Sequence, residues 1–172
     1  MPHWGRNRIY GTVESRPDWC ISRQRTWGVP LPVFYFPGED LPNIDAELAR
    51  EVADIIEEGG TNLWFQHDDT WWAEKLGLPE GSRRCTDTLD VWIDSGSSHV
   101  AVMDRHRELS CPADLYLEAT DQHRGWFQSS LMLSTAVRDA APYKSVMTHG
   151  FVVRRATKEE NEKRRAHGME PV

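Results

Sequence analysis

With 172 residues, 39% of them hydrophobic and 27% charged, the chain has the balance of a folded domain rather than of a disordered segment. A formal charge of −7 excludes the chain as a general electrostatic trap for nucleic acid, so RNA contact would require a local basic patch. Cys20, Cys85 and Cys111 show no C-x-x-C spacing, which argues against a disulfide framework and fits a reducing cytoplasm. Met1 to Gly5 hold no apolar signal core, no apolar run approaches transmembrane length, and no membrane role is expected. The eight tryptophans are scattered without period, which excludes a repeat and suits either a core or a ligand pocket.

Residues 1–36 carry strand-like runs over Arg8 to Val13 and Val33 to Phe36, broken by Pro17, Pro30 and Pro32. Residues 37–44 read as a turn-rich connector. A helix follows, capped by Asp45, with Leu48, Val52, Ile55 and Ile56 on one face and Gly59-Gly60 at its end. A shorter helix is expected over Thr70 to Leu76, stopped by Gly77 and Pro79. Residues 37–86 are thus expected to form a small peripheral α+β insertion.

Residues 87–153 have a different organisation. Asp114 to Glu118 reads as a strand, and Gln122 to Arg138 as a helix with Phe127, Leu131, Ser134 and Val137 at helical spacing. After Ala140-Ala141-Pro142, Lys144 to Val153 reads as a second strand, interrupted at His149-Gly150. Strand, helix and strand over this length predict one β-α-β unit with parallel strands and an α/β fold. Ligands in such sheets bind beyond the carboxyl ends of the strands, which predicts that Glu118 to Gln122 and His149 to Phe151 share one edge. Residues 154–172 hold six Lys or Arg and four Asp or Glu, and read as a solvated helix or frayed end.

Four segments carry a family resemblance. Arg16-Pro17-Asp18-Trp19-Cys20-Ile21-Ser22-Arg23-Gln24-Arg25-Thr26-Trp27-Gly28-Val29-Pro30 resembles a long stretch of the isoleucyl-tRNA synthetases. Asp87 to Ser97 (DTLDVWIDSGS) and Tyr116 to Phe127 (YLEATDQHRGWF) resemble two further segments of that class I family, the latter its adenylate-binding loop. Thr148-His149-Gly150-Phe151 is similar to the strand end that faces the adenine. The order and approximate spacing also match over residues 2–153. The valyl enzymes share Asp18 to Gln24, whereas Arg25 to Gly28 and Asp121 to Trp126 favour the isoleucine branch.

The resemblance implies a Rossmann-like, parallel nucleotide-binding domain that joins isoleucine to ATP and transfers the acyl group to tRNA. Residues 1–36 would begin the C-terminal half of the catalytic domain, and 87–153 would hold the adenylate loop. Glu118 would face the substrate ammonium, while Trp92 and Trp126 would wall an apolar slot for the side chain. Asp121 and Gln122 would meet ribose and adenylate, with His149 and Gly150 beside the nucleotide. The implied cofactor is ATP as substrate, with magnesium, and the implied partners are isoleucine, ATP and tRNA(Ile). No metal site of the chain's own is expected: His99, His106, Cys111 and His123 lack zinc spacing, and Asp90-Asp94-Gly96 lacks the ligands of a calcium loop. A kinase catalytic segment and a G-x-S-x-G elbow are also absent.

Three departures from the family pattern bear on activity. No His-x-Gly-His segment occurs in these residues, and Arg154-Arg155-Ala156-Thr157-Lys158-Glu159-Glu160 stands where the family has Lys-Met-Ser-Lys-Ser. Both motifs stabilise triphosphate charge during adenylation, so no catalytic residue is assigned and the chain alone is expected to be inactive. Ala119 stands where glycine is common. The family's editing and anticodon-reading parts are expected to lie outside these residues. Discrimination of one methylene by binding alone is worth only about 1–3 kcal/mol, a known magnitude for which isoleucyl enzymes are themselves the standard example. Two readings follow: a ligase catalytic-domain fragment, completed by a missing N-terminal half or self-associating, and a non-catalytic remnant that binds amino acid or nucleotide.

Overall fold

The computed structural model describes residues 3–16 and 18–170; the expectations for Met1, Pro2 and Pro17 lie outside the described residues. Helix α1 spans His3–Glu14. The strand expected over Arg8 to Val13 is therefore a helix. Ile9, Tyr10 and Val13 favour a strand only where a neighbour completes the ladder, and a helix satisfies its own backbone instead. Tertiary contact fixes it: the Gln128 amide donates to the Thr12 carbonyl at 2.7 Å and its Oε1 accepts from Arg16 at 2.7 Å.

Strand β1 (Ser22–Arg23) and β2 (Phe34–Tyr35) follow, and the run expected over Val33 to Phe36 is thereby a strand with trimmed ends. Helix α2 (Ala46–Gly59) begins where the Asp45 carboxylate accepts the N–H groups of Glu47 and Leu48 at 2.7 and 3.0 Å. Its apolar stripe buries Leu48 and Val52. Helix α3 (Leu63–Gln66) is not legible in the sequence, because one turn carries no period. Helix α4 (Asp69–Leu76) is capped by Asp68 and closed by Gly77, whose φ of 63° is the left-handed geometry that glycine adopts without strain.

These helices enclose one apolar cluster of Phe34, Leu48, Val52, Trp64 and Trp72, flanked by Ile55, Ile56 and Trp71. Trp64 is fully buried, lies 5.4 Å from Phe34 and 4.9 Å from Trp72 by ring centroids, and donates its indole N–H to the Cys85 carbonyl at 2.9 Å. Strand β3 (Arg83–Arg84) pairs antiparallel with β2, so the cluster includes residues from before Pro37.

Strand β4 (Thr88–Leu89) pairs antiparallel with β1 and leads into α5 (Val91–Gly96) and a π-helical turn, His99–Met103. Strands β5 (Tyr116–Ala119) and β6 (Val146–His149) pair in parallel, Glu118 opposite Thr148 and Ala119 opposite His149. Between them lie a 3₁₀ turn (Thr120–Arg124) and α6 (Trp126–Arg138). The long helix thus starts four residues later than expected, after a backbone break at Gly125. The second strand ends at His149, and Gly150 to Val153 form no strand.

The buried face of α6 keeps Phe127 and Ser134 of the expected stripe but is otherwise shifted. Phe127, Gln128, Ser129, Ser130 and Ser134 are buried, whereas Val137 in the last turn is 69% exposed. Small serines allow α5 to approach closely: a Cβ on Gly96 would stand 3.1 Å from the Ser129 carbonyl carbon. The Ser130 hydroxyl in turn hydrogen-bonds the Tyr116 hydroxyl at 3.1 Å, tying α6 to β5. Helix α7 (Lys158–Ala166) has a Thr157/Glu160 capping box and no buried residue, which agrees with a solvated helix.

His99 and His123 are 1% and 4% exposed, and burial lowers the pKa of each below its usual value, aided at His123 by Arg8. The unfolded chain takes up these protons below about pH 6.5 whereas the folded chain resists them, so stability is full above that pH and falls as the medium acidifies. Thermal melts at pH 7.5 and 5.5 are expected to show this loss, at most about 1.4 kcal/mol per histidine per pH unit. A His99→Gln/His123→Gln variant should flatten the slope; an unchanged slope would rule the histidines out as its source.

Candidate adenylate-binding edge

The carboxyl ends of β5 and β6 bring the sequence-predicted residues to one edge. Glu118 is exposed on β5, its Oε2 accepting the Ala119 N–H at 3.2 Å. Among the described residues no cation is paired with it, so the carboxylate is available to an ammonium ligand. Ala119 is 9% exposed, and its methyl is therefore largely covered by protein rather than standing free at the edge. On the neighbouring strand His149 is exposed, its Nδ1 2.6 Å from the Gly150 carbonyl, and the position of a Cβ on Gly150 would be open space.

The loop after β5 is held by its own side chains. Gln122 Oε1 accepts the Trp126 N–H at 2.8 Å, which occupies a donor that the start of α6 would otherwise leave free. Gln122 Nε2 lies 3.4 Å from Asp121 Oδ2, and Asp121 is exposed. Gly125 is buried beneath both Gln122 and Trp92. A Cβ there would stand 2.6 Å from Gln122 Oε1 and 3.0 Å from Trp92 Cη2. Gly125→Ala is accordingly expected to displace Gln122 and Trp92 and to weaken any ligand of this edge about tenfold or more, since small misplacements of positioning groups have such effects. Titration of the variant checks this, and wild-type affinity would contradict it.

The two tryptophans expected to wall a slot differ in exposure. Trp126 stacks on the buried Tyr116 ring at 4.0 Å and 7°, and donates its indole N–H to the Ser95 carbonyl at 2.8 Å. It is half-buried, its ring held between Tyr116 and the end of α5. Trp92 is 37% exposed at the start of α5, so it presents the more open aromatic face.

Sequence reasoning assigns no role to the residue that anchors α5. Asp90 is 4% exposed, forms an ion pair with Arg23, accepts the Trp19 indole N–H at 2.9 Å and caps α5 through the Trp92 N–H at 3.0 Å. Burial alone would raise its pKa, but the Trp92 N–H, the Trp19 indole and the Arg23 and Arg16 guanidiniums outweigh it and lower the value. Neighbouring Asp94 shows the reverse, raised by burial and by Asp90. Both segments stand out as motifs, yet partners 67 to 71 positions apart cannot be paired from one sequence.

An α/β architecture with parallel strands, and polar loops gathered at their carboxyl ends, defines a Rossmann-like nucleotide-binding class. The family model of the class I tRNA synthetases (I, L, M and V) matches residues 1–163, and the chain belongs to that family. Within it the chain is similar to isoleucine-tRNA ligases: 54% identity over 165 residues with that of Syntrophotalea carbinolica, and 58% over 156 residues with that of Methylacidiphilum infernorum. Each match covers 89% of this chain and 17% of the relative, so the chain spans about a sixth of their length. A solved LeuRS of Agrobacterium radiobacter, in a ternary complex with tRNA and LeuAMS, superposes with a TM-score of 0.54 at 20% identity. That match covers 83% of this chain and 21% of the other, a likeness of fold.

Among the described residues no helix is long and apolar enough to cross a membrane, and no three His, Cys, Asp or Glu side chains converge as metal ligands.

Proposed function

We propose that this chain is the adenylate-binding edge of an isoleucine-tRNA ligase catalytic domain, acting in the cytoplasm on isoleucine, ATP and tRNA(Ile). Residues 1–36 would open the C-terminal half of that domain and 87–153 would contribute one β-α-β unit of its sheet. Residues 37–86 would form a peripheral insertion and 154–172 a divergent tail. The observation that carries the reading is the exposed, unpaired Glu118 carboxylate at the end of a parallel strand, one residue before Ala119, which pairs with His149. In this reading Glu118 holds the amino-acid ammonium and Trp92 covers its side chain, with Trp126 supporting the floor. Asp121 and Gln122 face ribose and adenylate, and His149 with Gly150 flank the base. Magnesium would arrive with the ATP phosphates.

These residues bind and orient; charge stabilisation on the triphosphate must come from elsewhere, since neither signature motif is present in the sequence. The chain alone is therefore expected to show no isoleucine-dependent pyrophosphate exchange, and to gain it only when complementary polypeptides supplied in trans bring both missing motifs. Exchange by the chain alone, abolished by Glu118→Ala, would overturn this. No gain with any complementary polypeptide, together with no adenylate binding, would favour a remnant. Leu117 and Met147, paired across β5 and β6 and 52% and 56% exposed, favour such association, or self-association, because they leave one sheet face apolar and open.

A further inference from the structure

The start of α5 and the first turn of α6 are joined by a closed ring of contacts in which one residue, Arg16, has no role so far. On the α6 side Gln128 is 3% exposed and has both ends of its amide engaged: Nε2 donates to the Thr12 carbonyl and Oε1 accepts from Arg16, each at 2.7 Å. The Arg16 guanidinium lies over the Trp19 ring, 4.9 Å from its centroid, a cation–π geometry. Trp19 donates its indole N–H to the Asp90 carboxylate at 2.9 Å, and the same carboxylate accepts the Trp92 N–H at 3.0 Å. The ring closes at Gly125, where an added Cβ would stand 3.0 Å from Trp92 Cη2 and whose carbonyl accepts the Gln128 N–H at 3.1 Å.

Arg16 suits this place by shape and by charge. Its planar guanidinium can stack on an indole and donate at its edge at once, which an ammonium cannot do. Trp92 is 37% exposed, so little packing fixes its ring from outside, and its place depends on the cap that holds its backbone and on the contact with Gly125. Both depend on Trp19 and Asp90 staying where they are.

We propose that Arg16 is a positioning residue: through Trp19 and Asp90 it sets where the Trp92 ring stands against the start of α6, and with it the width of the apolar slot for the amino-acid side chain. The slot rests on the reading of the β5–β6 edge as an aminoacyl-adenylate site, whereas the coupling of Arg16 to Trp92 is a property of the free chain.

The test follows the indole and backbone N–H resonances of the 172-residue chain in Arg16→Lys and Arg16→Gln. Both variants keep a donor for the buried Gln128 oxygen, which Arg16→Ala would leave without its partner. Without ligand, each is expected to shift the Trp19 and Trp92 indole signals and the Gly125 amide, Arg16→Lys less because it keeps the charge. Arg16→Gln made in a Trp19→Phe background should add little to the Trp92 shift, because the route to Asp90 is already cut. With ligand, Arg16→Gln should weaken an isoleucyl-adenylate analogue about tenfold and leave AMP unchanged, since a misplaced slot wall affects only the ligand that fills the slot. A general loss of folding would weaken both. Shifts confined to Trp19, full additivity with Trp19→Phe, or equal losses for the analogue and AMP would each overturn the proposal. Binding of neither ligand by the parent chain would overturn the reading of the edge instead, and the ligand-free shifts would still decide whether Arg16 positions Trp92.

Discussion

Replacing Trp64 by alanine is expected to lower stability by about 4 kcal/mol, which is much of the total for a domain of this size. The indole is fully buried between Phe34 and Trp72, so truncation opens a cavity that the helices α2 and α4 fill only in part. It also removes the donor that satisfies the Cys85 carbonyl and leaves that oxygen without its partner. Trp27 provides the control: at 90% exposure its replacement by alanine should stay within about 0.5 kcal/mol. Urea denaturation of both variants checks the pair. A Trp64→Ala protein as stable as the parent would mean that the cluster does not hold α2, α3 and α4 together.

Asp90→Ala is the second large effect, expected at about 3 kcal/mol. Removing one partner of a buried pair leaves the other uncompensated, and here Arg23 retains enough solvent to soften the loss. Three groups lose an acceptor at once: the Arg23 guanidinium, the Trp19 indole and the Trp92 N–H that starts α5. A Trp19→Phe/Asp90→Ala double variant should therefore cost less than the two single changes added together, which a double-mutant cycle in urea measures. Strict additivity would show that the two side chains do not act as one network. Because Trp92 follows directly on this cap, Asp90→Ala should also impair ligand binding at the edge, whereas Trp64→Ala should act through stability.

The local chemistry of α2, α4 and α6 explains why these elements are legible. Asp45 and the Gly59-Gly60 stop bracket a clear apolar stripe, Gly77 ends α4, and Ala140 to Pro142 close the region after α6. Helix α1 reads as a strand because Ile9, Tyr10 and Val13 have strand preference, while the contacts that make it helical come from Gln128, more than 110 positions away. Of the buried serines of α6, Ser134 falls on the expected stripe, but Ser129 and Ser130 escape the sequence for a related reason: the hydrophobic period marks Val137, while packing against α5 selects small polar residues instead. The candidate site is legible as motifs, with Glu118, Asp121, Gln122, Trp126 and His149 all standing out by residue type and order. The different exposure of the two tryptophans is not, since only the fold stacks Trp126 on Tyr116 while leaving Trp92 open. The role of Asp90 depends on long-range partners and leaves no local signal.

The central claim is that the β5–β6 edge binds an aminoacyl-adenylate through Glu118. Its most direct test is titration of the 172-residue chain with a non-hydrolysable isoleucyl-adenylate analogue, followed by tryptophan fluorescence. The account predicts quenching through Trp92 with a dissociation constant nearer about 1 mM than 1 µM, the roughly 4 kcal/mol difference reflecting contacts supplied by other parts of the full-length relatives. It predicts that Glu118→Gln, which keeps the shape and removes the charge, weakens the analogue about tenfold while leaving an adenylate without the ammonium group unaffected. Equal binding of both ligands by the parent and by Glu118→Gln would contradict it, as would the absence of any fluorescence or chemical-shift change at millimolar analogue.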